Sequence, residues 1–123
     1  MARTYSGIIG RNDYSQALRD YCFRAYNDGK YYSDCSSSIC YSYKEAGLSF
    51  GILNTAGIYQ SSKLTTVDII IKDGVPLNIS DLRVGDMLEF AGTDASRPER
   101  IGHVEMVYSI DGDKVTLCGH GSG

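Results

Sequence analysis

Tyr31-Tyr32-Ser33-Asp34-Cys35-Ser36-Ser37-Ser38-Ile39-Cys40-Tyr41 is the stretch on which the fold turns. A polar, turn-prone segment gives way here to a helix. Ser33 and Asp34 offer capping oxygens, Ile39, Tyr43 and Ala46 recur at helical spacing, and Gly47 supplies the stop. The helix begins at Cys35. Unpaired N–H groups and partial positive charge at a helix start stabilise an anion, so a cysteine there ionises more readily than a free one. Cys35 is therefore the candidate nucleophile, and the plainer reading is a small buried helix cysteine.

Upstream, residues 1 to 11 carry Gly7 and Gly10 and read as an irregular lead-in. From Asn12 or Asp13 as cap, Tyr14, Ala17, Leu18, Tyr21, Cys22 and Ala25 repeat as one buried helical stripe that ends near Asn27-Asp28-Gly29. Lys30 to Ser33 then turns the chain into Cys35. Downstream, Asn54 or Thr55 can cap a short helix interrupted by Gly57. Val67 to Ile71 reads as a strand ending at Lys72-Asp73-Gly74, and Ser80 to Gly85 as a turn into a strand at Asp86 to Phe90. A polar loop, Gly92 to Arg100, follows.

The last stretch holds Asp111-Gly112 between two strand-like runs, a strong hairpin signal. A two-residue Asp111-Gly112 turn pairs Ile110 with Asp113, Tyr108 with Val115, Met106 with Leu117 and Val104 with Gly119 on one apolar face. The other face then pairs Ser109 with Lys114, Val107 with Thr116, Glu105 with Cys118 and His103 with His120. In that register the two histidines lie with Cβ atoms about 5 Å apart. Three readings compete for this face: surface histidines, a zinc site drawing on Cys35, His103, Cys118 and His120, and a Cys–His pair with an orienting residue. The last has Cys35 attack, His103 exchange protons and His120 hold the imidazole, with no metal and no cofactor.

Composition bounds the alternatives. A chain of 123 residues suits one domain, here 1–123, with one core. A net charge of −3 without a basic block argues against nucleic acid, and no apolar run is long enough to span a bilayer, so membrane insertion is not expected. The N-terminus lacks the apolar segment of a secretory signal, so the expectation is synthesis in the cytoplasm with delivery by other means. Cys22, Cys35, Cys40 and Cys118 fit no disulfide framework. Five of the ten tyrosines fall from Tyr21 to Tyr41, suited equally to lining a polar polymer and to a tyrosine-rich core. The elements together predict an α+β domain, the Cys35 helix packed on an antiparallel sheet of strands at 86–90, 103–110 and 113–120.

With D-C-S-S-S at 34–38, L-R-V-G-D-M-L-E-F at 82–90 and I-G-H-V-E-M-V at 101–107, the sequence resembles the NlpC-like cell-wall cysteine peptidases, papain-like enzymes related to the CHAP amidases. Phage lysin catalytic domains are the nearest in look. The resemblance covers about Tyr31 to His120. It implies a papain-like fold, Cys35 as nucleophile, His103 as general base and acid, and His120 as third residue. It also implies substrate contacts at Tyr31, Tyr32, Asp34 and Ser36, and bacterial peptidoglycan as partner. This sequence departs from the family pattern in placing Ser37 and Ser38 after D-C-S, in setting its third residue far from the base, and in leading into the cysteine with Lys30-Tyr31-Tyr32 rather than glycines.

The function expected is hydrolysis of a peptidoglycan amide, either between muramic acid and L-alanine or within the stem peptide, in phage lysis or a phage particle. Gly121-Ser122-Gly123 reads as a linker, the expectation being a catalytic unit separated after residue 120 from a wall-binding domain or served by another subunit. The alternatives are a papain-like acyltransferase and a non-catalytic wall-binding or zinc-structured module.

Overall fold

In chain order the elements are α1 (Ala2–Ser6), β1 (Asp13–Tyr14), β2 (Tyr32–Ser33), α2 (Cys35–Glu45), α3 (Thr55–Gln60), β3 (Ile71–Lys72), β4 (Val75–Pro76), β5 (Met87–Ala91), β6 (Ile101–Asp111) and β7 (Lys114–Cys118). They belong to a computed structural model that describes residues 2–65, 71–72, 75–76, 82–91, 95–96, 101–112 and 114–120. The architecture is α+β: an antiparallel sheet ordered β5-β6-β7, with α2 packed on β6. Short pairs β1-β2, parallel, and β3-β4, antiparallel, stand apart from it. Of the strand expected at Val67–Ile71, Ile71 opens β3, and residues 66–70 lie outside the described residues, as does most of the 92–100 loop. Among the described residues no helix is long and apolar enough to cross a membrane.

α2 forms as its sequence predicts. Asp34 Oδ1 accepts the Ser37 N–H at 2.9 Å, while Ser37 Oγ accepts the Asp34 N–H at 2.8 Å, a reciprocal cap. Gly47, at φ +93°, ends the helix. The buried side is rich in serine, and its hydroxyls are satisfied locally: Ser38 Oγ donates to the Cys35 carbonyl and Ser42 Oγ to the Ser38 carbonyl. Ile39 is fully buried, worth roughly 2–3 kcal/mol of transfer free energy, whereas Ala46 is exposed. Asn54 caps α3 as expected, its Oδ1 accepting the Gly57 N–H.

The helix expected from Asn12 does not form. Asn12 Nδ2 donates across the fold to the Cys22 carbonyl and to Ser33 Oγ, at 3.1 and 3.2 Å, and Arg11 donates to the same carbonyl. β1 pairs with β2 instead, and turns fill residues 16–20. Side-chain bonds to distant backbone have displaced the helical ladder, so only Cys22 of the expected stripe is buried. The irregular lead-in is likewise corrected. α1 packs on α2, and it and the turn after it deliver Tyr5 and Ile8 to the core beside Cys22, Ile39, Cys40, Phe50, Ile58, Val104, Met106 and Cys118. All four cysteines are buried free thiols.

The 85–86 turn locks the sheet to α2. Gly85 N–H donates to the Val107 carbonyl and Val107 N–H to the Asp86 carbonyl, at 2.8 and 2.7 Å, while the Tyr43 hydroxyl donates to the Gly85 carbonyl. Gly85 sits at φ +98°, and a Cβ there would lie 2.9 Å from the Tyr43 oxygen. Glycine is required on both counts.

The hairpin forms, in a different register. Asp111 pairs with Lys114, Ile110 with Val115 and Ser109 with Thr116; a bulge at Tyr108 follows, then Val107 pairs with Leu117 and Met106 with Cys118. The turn sits one residue later than expected, which displaces pairing by two, and the bulge recovers one of these. The remaining offset of one exchanges faces, so Cys118 opposes Met106 in the core rather than Glu105.

Candidate active site

Cys35 is the first residue of α2 and lies in a cleft of about 290 Å³ lined by Gln16, Arg19, Asp34, Cys35, Ser36, Asn54, Thr55 and Gly102. Four segments build it: the turns at 16–20, the start of α2, the start of α3 and the leading end of β6. As the first residue of a capped helix, Cys35 has the unpaired N–H groups of that first turn beside it, and these favour its anion. Burial outweighs them. It pushes the Cys35 thiol above its ordinary value, and the adjacent Asp34 carboxylate adds to the rise. The expectation that the helix start lowers this thiol is therefore corrected: with 8% of the residue exposed, lost solvation dominates.

Asp34 is held from both sides. Its Oδ1 caps α2, and its Oδ2 pairs with Arg19 Nε at 3.1 Å; Arg19 Nη2 reaches Ser36 Oγ at 2.8 Å and the Leu53 carbonyl at 3.0 Å. Asp34 and Ser36 thus line the cleft. Tyr31 and Tyr32 do not. Tyr31 stacks beneath the Arg11 guanidinium, 3.9 Å from the ring centroid, and the Tyr32 hydroxyl donates to Asp28 while its ring meets Tyr26 edge-on. The Tyr21–Tyr26–Tyr32 stack is an aromatic surface of its own, with Arg24 over Tyr21.

The register brings neither histidine opposite the other. His103 pairs across the sheet with Phe90, their rings 6.1 Å apart, and its Nε2 lies 3.9 Å from Glu105 Oε1. Val104 and Met106 turn to the core and α2; His103 and Glu105, alternating with them, are half-exposed on the other face. His120 lies two residues beyond β7, its Nδ1 2.7 Å from Ser33 Oγ and its ring edge-on to Tyr14. Burial lowers its pKa, against the charges of Asp34 and Asp13. Among the described residues, no hydrogen bond joins Cys35 to either histidine, and no three histidine, cysteine or acidic side chains come close enough to hold a metal ion.

Sequence reading missed Arg19, Gln16 and Gly102. Arg19 and Gln16 sat on the polar side of a helix that does not form, and Gly102 looked like a strand residue. Gly102 is in fact the extra residue of a bulge, since Phe90 pairs with His103 and Ala91 with Ile101. Asn54 and Thr55 were legible only as caps. No family model matches this chain, and the comparisons with curated proteins and with solved structures likewise found no match.

Proposed function

We propose that the protein is a thiol-dependent hydrolase of papain-like type that cleaves an amide in the peptide part of bacterial peptidoglycan, between muramic acid and L-alanine or within the stem. The observation that carries the reading is a cysteine at the first position of a capped helix, α2, where it lines a cleft. The unpaired N–H groups of such a first turn are suited to a thiolate and to the oxyanion that forms beside it.

In the proposed reaction the thiol proton passes to a base and the sulfur bonds to the substrate carbonyl carbon. The C–N bond then breaks, the leaving nitrogen takes that proton, and a thioester remains. Water, losing a proton to the base, releases the acid and restores the thiol. His103 is the proposed base and His120 the third residue, both carried by the family resemblance. For His103 to serve, β6 must turn it, rather than Val104, toward Cys35. The bulge at Gly102 is where the strand can make that one-residue change.

A second reading, a wall-binding module without turnover, is favoured by the burial that raises the Cys35 thiol. Incubating wild type and Cys35→Ala with purified sacculi from several bacteria, with mass spectrometry of the soluble fragments, separates the two. Release that depends on Cys35 is expected, and the new termini name the bond. Sedimentation with sacculi and no release would overturn hydrolysis in favour of binding.

A further inference from the structure

Arg19 directs its guanidinium to the start of α2 and to the chain just before α3. Nε pairs with Asp34 Oδ2, and Nη2 spans Ser36 Oγ and the Leu53 carbonyl, so one side chain ties residues 15–20 and 51–54 to the turn that carries Cys35. The side chains are 22% and 10% exposed for Arg19 and Asp34, which leaves little solvent to screen the pair. The carboxylate is divided in its duties: Oδ1 serves the helix cap, and Oδ2 serves Arg19.

We infer that Arg19 is a positioning residue for Cys35: its guanidinium counters the charge of the Asp34 carboxylate, which caps α2 yet opposes a thiolate one residue away. The inference rests on Cys35 being the nucleophile. A cap at this position must accept a hydrogen bond, and aspartate brings with that a negative charge. Without a cation the charge stands beside the sulfur. Arg19 leaves the cap intact and offsets part of the penalty.

Among the described residues, other charged or titratable groups also lie around Cys35. His120 reaches the same turn through Ser33, with the Asp34 charge acting on it. β6 presents Gly102 to the cleft, with His103 and Glu105 on the strand's other face, and α3 presents Asn54 and Thr55. Arg19 is the cation that contacts Asp34 directly.

The test is the pH dependence of iodoacetamide alkylation at Cys35, followed by peptide mass spectrometry, in the full chain. Arg19→Gln is expected to move the midpoint upward, slowing alkylation by about threefold or more at a pH below it, a half-unit shift discounted for screening. Arg19→Lys, which keeps the charge, stays with wild type. Asp34→Asn, which caps a helix as well as aspartate does, moves the midpoint downward, and the double variant Arg19→Gln/Asp34→Asn returns to wild type or below. A merely structural clamp predicts otherwise: Arg19→Lys would follow Arg19→Gln, and Asp34→Asn would rescue nothing. Either result overturns the inference. Should Arg19→Gln fail to fold, Asp34→Asn alone decides, an unmoved or raised midpoint overturning it. Alkylation reads the thiol regardless of turnover, so shifted midpoints without wall hydrolysis would sink the proposed function and leave this inference standing; unmoved midpoints with hydrolysis would do the reverse.

Discussion

Ser33 Oγ and His120 Nδ1 lie 2.7 Å apart, which ties residue 120 to the strand that leads into α2. Asn12 donates to the same serine oxygen, so Asn12, Ser33 and His120 form one side-chain network. Burial depresses the His120 pKa in the folded state. The unfolded chain then binds the proton first, so this contribution to stability is full above the ordinary value of 6.5 and is lost as pH falls toward the folded one. The stability difference between wild type and His120→Gln should be larger at pH 8 than at pH 5. Parallel melting curves at the two pH values would contradict it.

Glu89 gives the opposite dependence. Neither of its carboxylate oxygens has a hydrogen-bond partner among the described residues, and burial pushes its pKa from 4.5 up to about 7. The folded state holds the proton across that window, so stability falls as pH rises from about 4.5 to about 7. Glu89→Gln is expected to gain roughly 1–2 kcal/mol relative to wild type between pH 5 and pH 8, discounted for partial exposure. Urea midpoints at the two pH values measure it.

Gly85→Ala should destabilise by about 2–3 kcal/mol, because the added Cβ meets the Tyr43 oxygen at a positive φ. Tyr43→Phe removes one hydrogen bond and should cost about 1 kcal/mol. In the double variant the clash is relieved, so the two losses should fall short of adding. Full additivity in chemical unfolding would mean that the residues do not meet.

Cys35 lines the cleft, whereas Cys22 and Cys40 are at most 1% exposed. Native labelling with iodoacetamide should therefore strike Cys35 before those two. Since burial raises its thiol above the ordinary 9.0, the rate should still be climbing at pH 9. A plateau reached near pH 7 would show that the helix start overcomes burial.

His103→Ala should lose at least 100-fold in wall hydrolysis, about the smallest contribution expected of a general base, with its melting temperature retained since the side chain is half-exposed. His120→Ala should keep a residue of activity and lose stability. Equal activity in His103→Ala and wild type would remove His103 from the reaction.

Local chemistry is legible in this sequence. The Asp34–Ser37 cap, the Gly47 stop, the Asn54 cap, the strand at 87–91 and the existence of the last hairpin all depend on residues a few positions apart. The stripe from Tyr14 to Ala25 is equally periodic and misleads, because Asn12 finds better partners at Cys22 and Ser33 than its own helix offers.

The sequence by itself determined an α+β chain with a cysteine at the mouth of a capped helix, since capping and alternation are short-range. Tertiary structure alone decided that His103 does not meet His120, where His120 docks, and how Cys35 ionises. The later turn and the bulge at Tyr108 set the first, for with a side-chain period of two a single residue exchanges faces. The second follows from a serine 87 positions away in sequence. The third follows from burial and from the charge beside the thiol, quantities that exist only once α2, β6 and Arg19 have closed around it.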